Sequence, residues 1–111
     1  MFSQLDEVEG RFEELTSRMG DPDVASNPRR YAEVAREQAG LRETVAVWRE
    51  FKGLREELEG ARELLADPEM REMAQLEVAE LEERMGGLEQ QLKILLLPKD
   101  PYEGRPILLE I

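Results

Sequence analysis

A regular spacing of apolar residues between residues 67 and 98 most constrains how this chain can fold. These residues recur alternately four and three positions apart, the heptad pattern of a helix that packs along another helix. They are Ala74, Val78, Leu81, Met85, Leu88, Leu92 and Leu95. Asp67 and Pro68 are residue types favoured at an N-cap and in a first turn, and Pro98 ends the pattern. The sequence therefore predicts one helix over residues 68–97, about 45 Å long, that requires a partner helix.

Two further segments have similar apolar spacing and supply the partners. The longer one, residues 28–66, contains no proline after Pro28, and its seam is Tyr31, Val34, Gln38, Leu41, Val45, Trp48, Phe51, Leu54, Leu58, Ala61 and Leu65. Two successive steps of three residues at Phe51 predict a bend or phase change, so the helix's continuity past that point stays open. The shorter segment is an amphipathic helix from Ser3, its N-cap, to Gly20, a left-handed C-cap. Residues 20–27 are predicted to form a loop.

These segments predict an all-α fold, a three-helix antiparallel bundle built on a long coiled-coil-like helical hairpin. The short connection around Asp67 makes the second and third helices antiparallel neighbours. The first helix, about 25 Å long, covers only one half of that hairpin, which contains residues 29–48 and 85–97. The register predicts one cluster of Phe2, Trp48 and Met85. It leaves the other half as a surface for a possible homodimer, around Leu54, Leu58, Leu65 and Ala74.

The residues after Pro98 have a different character. Two segments are typical of turns, residues 99–101 and 104–106, and residues 107–111 are typical of a strand. A single strand would have no ladder partner. We therefore divide the chain into a helical N-terminal domain, residues 1–98, and a linker with a truncated β-strand of the next domain, residues 99–111. We expect the chain to be a piece of a longer protein.

The charge and the missing residue types exclude several functional classes. The chain has no cysteine and no histidine, which removes thiolate zinc sites, the commonest metal ligand and the usual general base. We therefore predict no catalytic, cofactor-binding or metal site, and no enzyme activity. The net charge of −11 argues against nonspecific nucleic-acid binding. No segment has the pattern of a signal peptide or a membrane span, which predicts a cytoplasmic protein with no membrane partner.

Three ordered motifs resemble the N-terminal domain of the bacterial class 1 peptide chain release factors. They are DPEMREMA at residues 67–74, LEQQL at residues 88–92 and LLLPKDP at residues 95–101. The last motif is similar to that of the members that read UAA and UAG rather than UGA. The likeness covers the whole chain.

This resemblance implies translation termination on the ribosome by promotion of peptidyl-tRNA hydrolysis. It implies that this piece is an accessory arm near the stalk base of the large subunit, in functional association with the class 2 release-factor GTPase. The family's catalytic Gly-Gly-Gln and its codon-reading Pro-x-Thr do not occur here, since Gly86-Gly87 is followed by Leu88. The stop codon and the tRNA would be contacted only by domains absent from this chain.

The residues alone also allow an alternative, a free-standing acidic helical adaptor or chaperone whose two-helix tip grips a partner helix. That alternative accounts for the bundle but not for the terminal strand or the third motif. If a phosphate of ribosomal RNA is met by this arm, we expect the contact at Arg29, Arg30 and Arg36, where positive charge gathers at one end of the second helix.

Overall fold

Four helices make up the part of the chain that the structure describes. A computed structural model describes residues 1–97, with helices α1 (Phe2–Met19), α2 (Pro22–Ala25), α3 (Pro28–Leu64) and α4 (Arg71–Leu95). No strand occurs within those residues. The predicted all-α fold with a long helical hairpin is confirmed. The predicted truncated β-strand and the boundary between residues 98 and 99 lie outside the described residues and stay predictions.

Both ends of α1 differ from the prediction. The helix begins at Phe2 rather than Ser3, and no side chain caps its first turn. Gly20 has right-handed backbone angles, φ −90° and ψ −3°, so it is not the left-handed residue expected at the C-terminal end. The helix therefore depends on the packing of its apolar face, as most helices in proteins do, more than on its caps.

The segment predicted to be a loop, residues 20–27, contains the single turn of α2. Asp21 accepts a hydrogen bond from the N–H of Asp23, and Pro22 occupies the first helical position, where its missing N–H is no loss. The turn carries Val24 into a cluster with Leu15 of α1. The prediction was wrong here because a capped proline turn needs only four residues, too few to give an apolar period.

α3 is one continuous helix across the position where a phase change was predicted. At Phe51 the seam passes from a cluster that α3 shares with both α1 and α4 to a cluster that it shares with α4 alone. Trp48 belongs to the first cluster, with Leu5 of α1 and Leu92 of α4, and Leu54 belongs to the second, with Leu81 of α4. The two three-residue steps shift the apolar seam without interrupting the backbone of α3.

The connection between α3 and α4 is longer than predicted. α4 begins at Arg71 rather than Pro68, so Asp67 is not its N-cap. The Asp67 side chain accepts a hydrogen bond from the Glu69 N–H, and the Asp67 carbonyl accepts one from the Met70 N–H, both at 3.0 Å. These two bonds close a turn around the aspartate, which is the other structure that an Asp-Pro pair favours. α4 is consequently about 37 Å long.

Three apolar clusters spaced along α3 hold the helices together. Their buried members are Leu15, Val24 and Val34 near the start of α3; Leu5, Val47, Trp48, Phe51 and Leu92 in the middle; and Leu54, Leu58, Ala61 and Leu81 towards the hairpin tip. In residues 1–97 no Cα atom of α1 lies within 8 Å of one in α4. α3 is therefore the element on which both other long helices rest.

The surface proposed for a homodimer is not an open apolar face. Leu54, Leu58 and Ala74 are each at most 5% exposed, because α3 and α4 bury them against each other. Large apolar side chains are exposed elsewhere, at Met73, Leu76, Ile94 and Leu97 among others. None of the helices in residues 1–97 is long and apolar enough to cross a membrane.

Candidate functional site

The middle cluster is aromatic and joins all three long helices. The Trp48 ring centroid lies 5.5 Å from that of Phe2 and 5.8 Å from that of Phe51. Met85 of α4 packs against the same cluster, and Trp48 is 1% exposed. The predicted grouping of Phe2, Trp48 and Met85 is confirmed. Each aromatic pair at such a separation adds about 0.5–1.5 kcal/mol beyond the area it buries.

Two cations lie over the aromatic rings of this cluster. Lys52 Nζ lies 5.2 Å from the Trp48 ring centroid, and the Arg55 guanidinium lies 5.8 Å from Trp48 and 5.7 Å from Phe2. The Trp48 Nε1 is buried and has no hydrogen-bond partner among residues 1–97. Leaving a buried donor unpaired costs about 1–3 kcal/mol, which the packing around the ring must exceed. We interpret the cluster as a structural joint, because no ligand can reach the indole N–H in this conformation.

Ion pairs fix the edge of α1 on α3. The Glu9 carboxylate accepts hydrogen bonds from Arg49 Nε at 2.7 Å and from Lys52 Nζ at 2.6 Å. These bonds, from Arg49 first and Lys52 second, hold the pKa of Glu9 below its usual value. A second pair joins Arg11 to Glu37 through two hydrogen bonds of 2.8 and 2.9 Å. These ion pairs could not be predicted from the sequence, because they depend on how α1 is rotated about its axis relative to α3.

The acidic residues in the described part of the chain do not form a cluster typical of a metal site. Within residues 1–97 no three Asp or Glu side chains are grouped closely enough to hold a metal ion. A Cβ atom placed on Gly86 or Gly87 would meet nothing within 4 Å, so packing does not require glycine at either position. Both lie inside α4 and not in a loop. The absence of catalytic, cofactor and metal sites stays a prediction.

Three exposed arginines near the start of α3, Arg29, Arg30 and Arg36, have no ion-pair partner among residues 1–97. Further exposed arginines without one lie singly elsewhere, at Arg42, Arg55 and Arg71. The Asn27 side chain caps this helix by accepting a hydrogen bond from the Arg30 N–H at 3.2 Å. Positive side chains in a first turn are unfavourable, because the free backbone N–H groups there already carry partial positive charge. Helix stability therefore does not explain the placement of Arg29 and Arg30.

A second candidate surface is apolar and lies near the hairpin turn. We call it the hairpin-tip patch and define it as Leu64 of α3 with Met73 and Leu76 of α4, which are 39%, 65% and 72% exposed. The sequence analysis did not single it out. The available signal was that Met73 and Leu76 are apolar yet lie off the heptad seam of α4, where a solvated helix face normally carries polar residues.

The fold defines a helical domain built on a long hairpin, and comparison with known proteins assigns it to a family. The chain matches the family model described as PCRF domain over residues 8–111, and it belongs to that family.

Curated relatives named Peptide chain release factor 1 align with all of this chain. The protein from Listeria welshimeri is 45% identical over 100% of the chain and 32% of its own length. The protein from Geobacter sulfurreducens is 47% identical over 100% of the chain and 31% of its own length. The resemblance carried by the three motifs is therefore confirmed. The chain spans about a third of the length of these relatives.

Proposed function

We propose that this chain is the N-terminal arm of a factor that terminates translation at UAA and UAG by promoting peptidyl-tRNA hydrolysis on the ribosome. The observation that carries the proposal is the 45–47% identity, over the whole chain, to proteins named Peptide chain release factor 1. The codon assignment rests on the LLLPKDP motif at residues 95–101. A factor of this kind works in the cytoplasm, where ribosomes translate.

In this proposal the arm binds and does not catalyse. The sequence lacks histidine, cysteine, Gly-Gly-Gln and Pro-x-Thr, so ester hydrolysis and codon reading belong to the parts of the factor beyond this chain. The partner of the arm is the ribosome near the stalk base of the large subunit. The arm acts in functional association with the class 2 release-factor GTPase.

The distribution of charge divides the arm between two kinds of contact. The exposed Arg29, Arg30 and Arg36 supply positive charge for a phosphate of ribosomal RNA. The remaining surface is dominated by acids, because the chain as a whole carries a net charge of −11. Phosphates repel such a surface over about 8–10 Å at physiological salt. We therefore assign RNA contact to the start of α3 and protein contact to the rest of the arm.

The test is a factor that lacks residues 1–97 in a reconstituted termination assay. We expect peptide release to stay dependent on the stop codon, while ribosome affinity or GTPase-stimulated recycling falls. Unchanged release together with unchanged affinity and recycling would refute an accessory role. Loss of codon choice would show that codon recognition had been assigned to the wrong part of the protein.

A finer test uses the intact factor with Arg29→Gln, Arg30→Gln and Arg36→Gln together. We expect weaker ribosome binding and a shallower dependence of affinity on salt, because each lost phosphate contact lowers the salt slope by about one. The matched control is Arg84→Gln, another exposed arginine on the same bundle but on α4. Equal effects of the two variants would remove the assignment of RNA contact to the start of α3.

A further inference from the structure

Two residues of the hairpin-tip patch, Leu64 and Met73, lie on one side of the hairpin, and Leu76 lies on the adjoining outer face of α4. The 4.0 Å contact between Arg84 and Glu50 marks this side, and the Arg62–Glu82 ion pair marks the other. Leu64 is two heptads after Glu50 and therefore has the same orientation on α3. On α4, Met73 precedes Arg84 by three helical turns and so has the same orientation, and Leu76 lies three residues further on, on the face of α4 that points away from α3.

The patch is surrounded by acids that have no internal partner. Glu57 is one heptad after Glu50, Glu77 is one heptad before Arg84, and Glu80 is one heptad after Met73, so all three belong to this side. Each is exposed, and none forms an ion pair within residues 1–97.

The bases near the hairpin tip are engaged elsewhere. Arg71 precedes Glu82 by three helical turns and so belongs to the opposite side, and its Nε donates a hydrogen bond to the Leu65 carbonyl at 3.1 Å. Arg62 is bonded to Glu82 at 2.9 Å. Between α1 and α3, by contrast, Glu9, Glu13 and Glu37 are paired with bases of the facing helix, which are Arg49, Lys52 and Arg11. The tip therefore combines exposed apolar side chains with negative charge that the described part of the chain does not neutralise.

The exposed apolar side chains and the negative charge together limit which kind of partner can bind the patch. A nucleic acid or an anionic membrane would be repelled by the carboxylates, and a second copy would bring the same acids face to face. The residues that follow α4 leave the helix at Leu95, about 28 Å along the axis from Leu76. An occupant with apolar anchors and flanking positive charges satisfies both features of the patch.

We infer that the hairpin-tip patch docks a basic amphipathic helix of a partner protein, with Leu64, Met73 and Leu76 receiving its apolar side chains and Glu57, Glu77 and Glu80 pairing with its lysines or arginines. Unbranched Met73 lets the surface adapt to the side chains it meets. Helix recognition by an apolar surface with charged edges is a recurrent mode of peptide binding. The inference does not depend on the termination role, because the binding it describes involves neither ribosome nor codon.

The experiment measures fluorescence anisotropy of a labelled Leu–Lys peptide of about 18 residues, five helical turns, with leucines on one face. A second peptide has every leucine replaced by serine, which keeps the charge and removes the anchors. We expect the chain to bind the Leu–Lys peptide and the variant Met73→Ser/Leu76→Ser to bind it at least about tenfold more weakly. Glu77→Gln/Glu80→Gln should weaken binding about threefold and reduce its salt dependence.

The matched control is Ile94→Ser, which removes an equally exposed apolar side chain at the far end of the same helix. Unfolding midpoints of all variants check that the fold is intact, as expected for side chains this exposed. Equal binding by Met73→Ser/Leu76→Ser, equal loss in Ile94→Ser, or equal binding of the serine peptide would overturn the inference. So would binding of oligouridylate or of anionic vesicles, or self-association in sedimentation, that depends on Met73 and Leu76.

Discussion

Trp48 is the largest of the fully buried side chains in the described residues. It is the only tryptophan, it is 1% exposed, and its ring contacts side chains from both neighbouring helices. Truncating a buried tryptophan removes its transfer free energy and leaves a cavity. We expect Trp48→Ala to lower the free energy of unfolding by about 3–5 kcal/mol, measured by urea denaturation.

Trp48→Phe separates packing from hydrogen bonding at the same position. It keeps an aromatic ring and removes the Nε1 donor that has no partner within the described residues. We therefore expect it to cost clearly less than the alanine variant. A tryptophan emission maximum like that of the free amino acid in the unmodified chain would contradict the buried position.

At the scale of single residues, the sequence predicted the contacts that the apolar periodicity determines. Phe2, Trp48 and Met85 were assigned to one cluster because each is apolar and the hairpin register fixes their heights. The unpaired Nε1 and the cations above the ring were not predictable, because they depend on side-chain rotamers. The exposed surface at Met73 and Leu76 was not predicted, because the heptad seam identifies only the residues that face a partner helix.

Between elements, the charges of α1 contribute to its attachment in a way that depends on pH. The pKa of Glu9 is held down in the folded chain by Arg49 and Lys52. A carboxylate with a lowered pKa stabilises the folded state at pH values above its unfolded pKa, about 4.3, and that contribution is lost as the pH falls through the folded pKa. We expect Glu9→Gln to lower stability at pH 7 and the difference from the unmodified chain to shrink below about pH 4.

Glu7→Gln is the control for this pH dependence. Glu7 lies on the same helix, is exposed and forms no ion pair within residues 1–97. Its substitution removes a carboxylate that forms no such pair, so it should lower stability at pH 7 less than Glu9→Gln does. Parallel profiles for Glu9→Gln and the unmodified chain from pH 7 to pH 3 would show that the pairs with Arg49 and Lys52 add nothing to stability.

The helices were predictable as elements, but their ends were not. α3 and α4 follow from long apolar seams, which many residues specify together. The start of α4 was placed three residues early, because Asp67 and Pro68 serve equally well as an N-cap pair and as a turn. The single turn of α2 was missed because four residues give no period. Whether Asp67 and Pro68 form a helix cap or a turn depends on how α3 and α4 pack against each other.

On the scale of the whole bundle, the middle cluster lies between two end clusters that share no buried residue within residues 1–97. Leu15 belongs to the cluster where α1 and α2 meet α3, and Leu58 belongs to the cluster towards the hairpin tip. Each end cluster has only three or four buried residues, and most of the stability of helices in proteins comes from the packing of their apolar faces. Neither end is therefore expected to stay folded when the other unfolds.

We accordingly expect the 111-residue chain to be mostly helical in dilute buffer and to unfold in one cooperative transition. Far-ultraviolet circular dichroism, which follows all helices, and Trp48 fluorescence, which follows the joint, should give the same urea midpoint. Leu15→Ala and Leu58→Ala perturb opposite ends of α3, and each should lower the dichroism midpoint and the fluorescence midpoint together. Each substitution should reduce the free energy of unfolding by about 2–5 kcal/mol. If Leu58→Ala shifted the dichroism and left the fluorescence midpoint in place, the hairpin tip would be an independent unit. The same tip would then be free to open and close around a partner helix without disturbing the attachment of α1, which the coupled structure forbids.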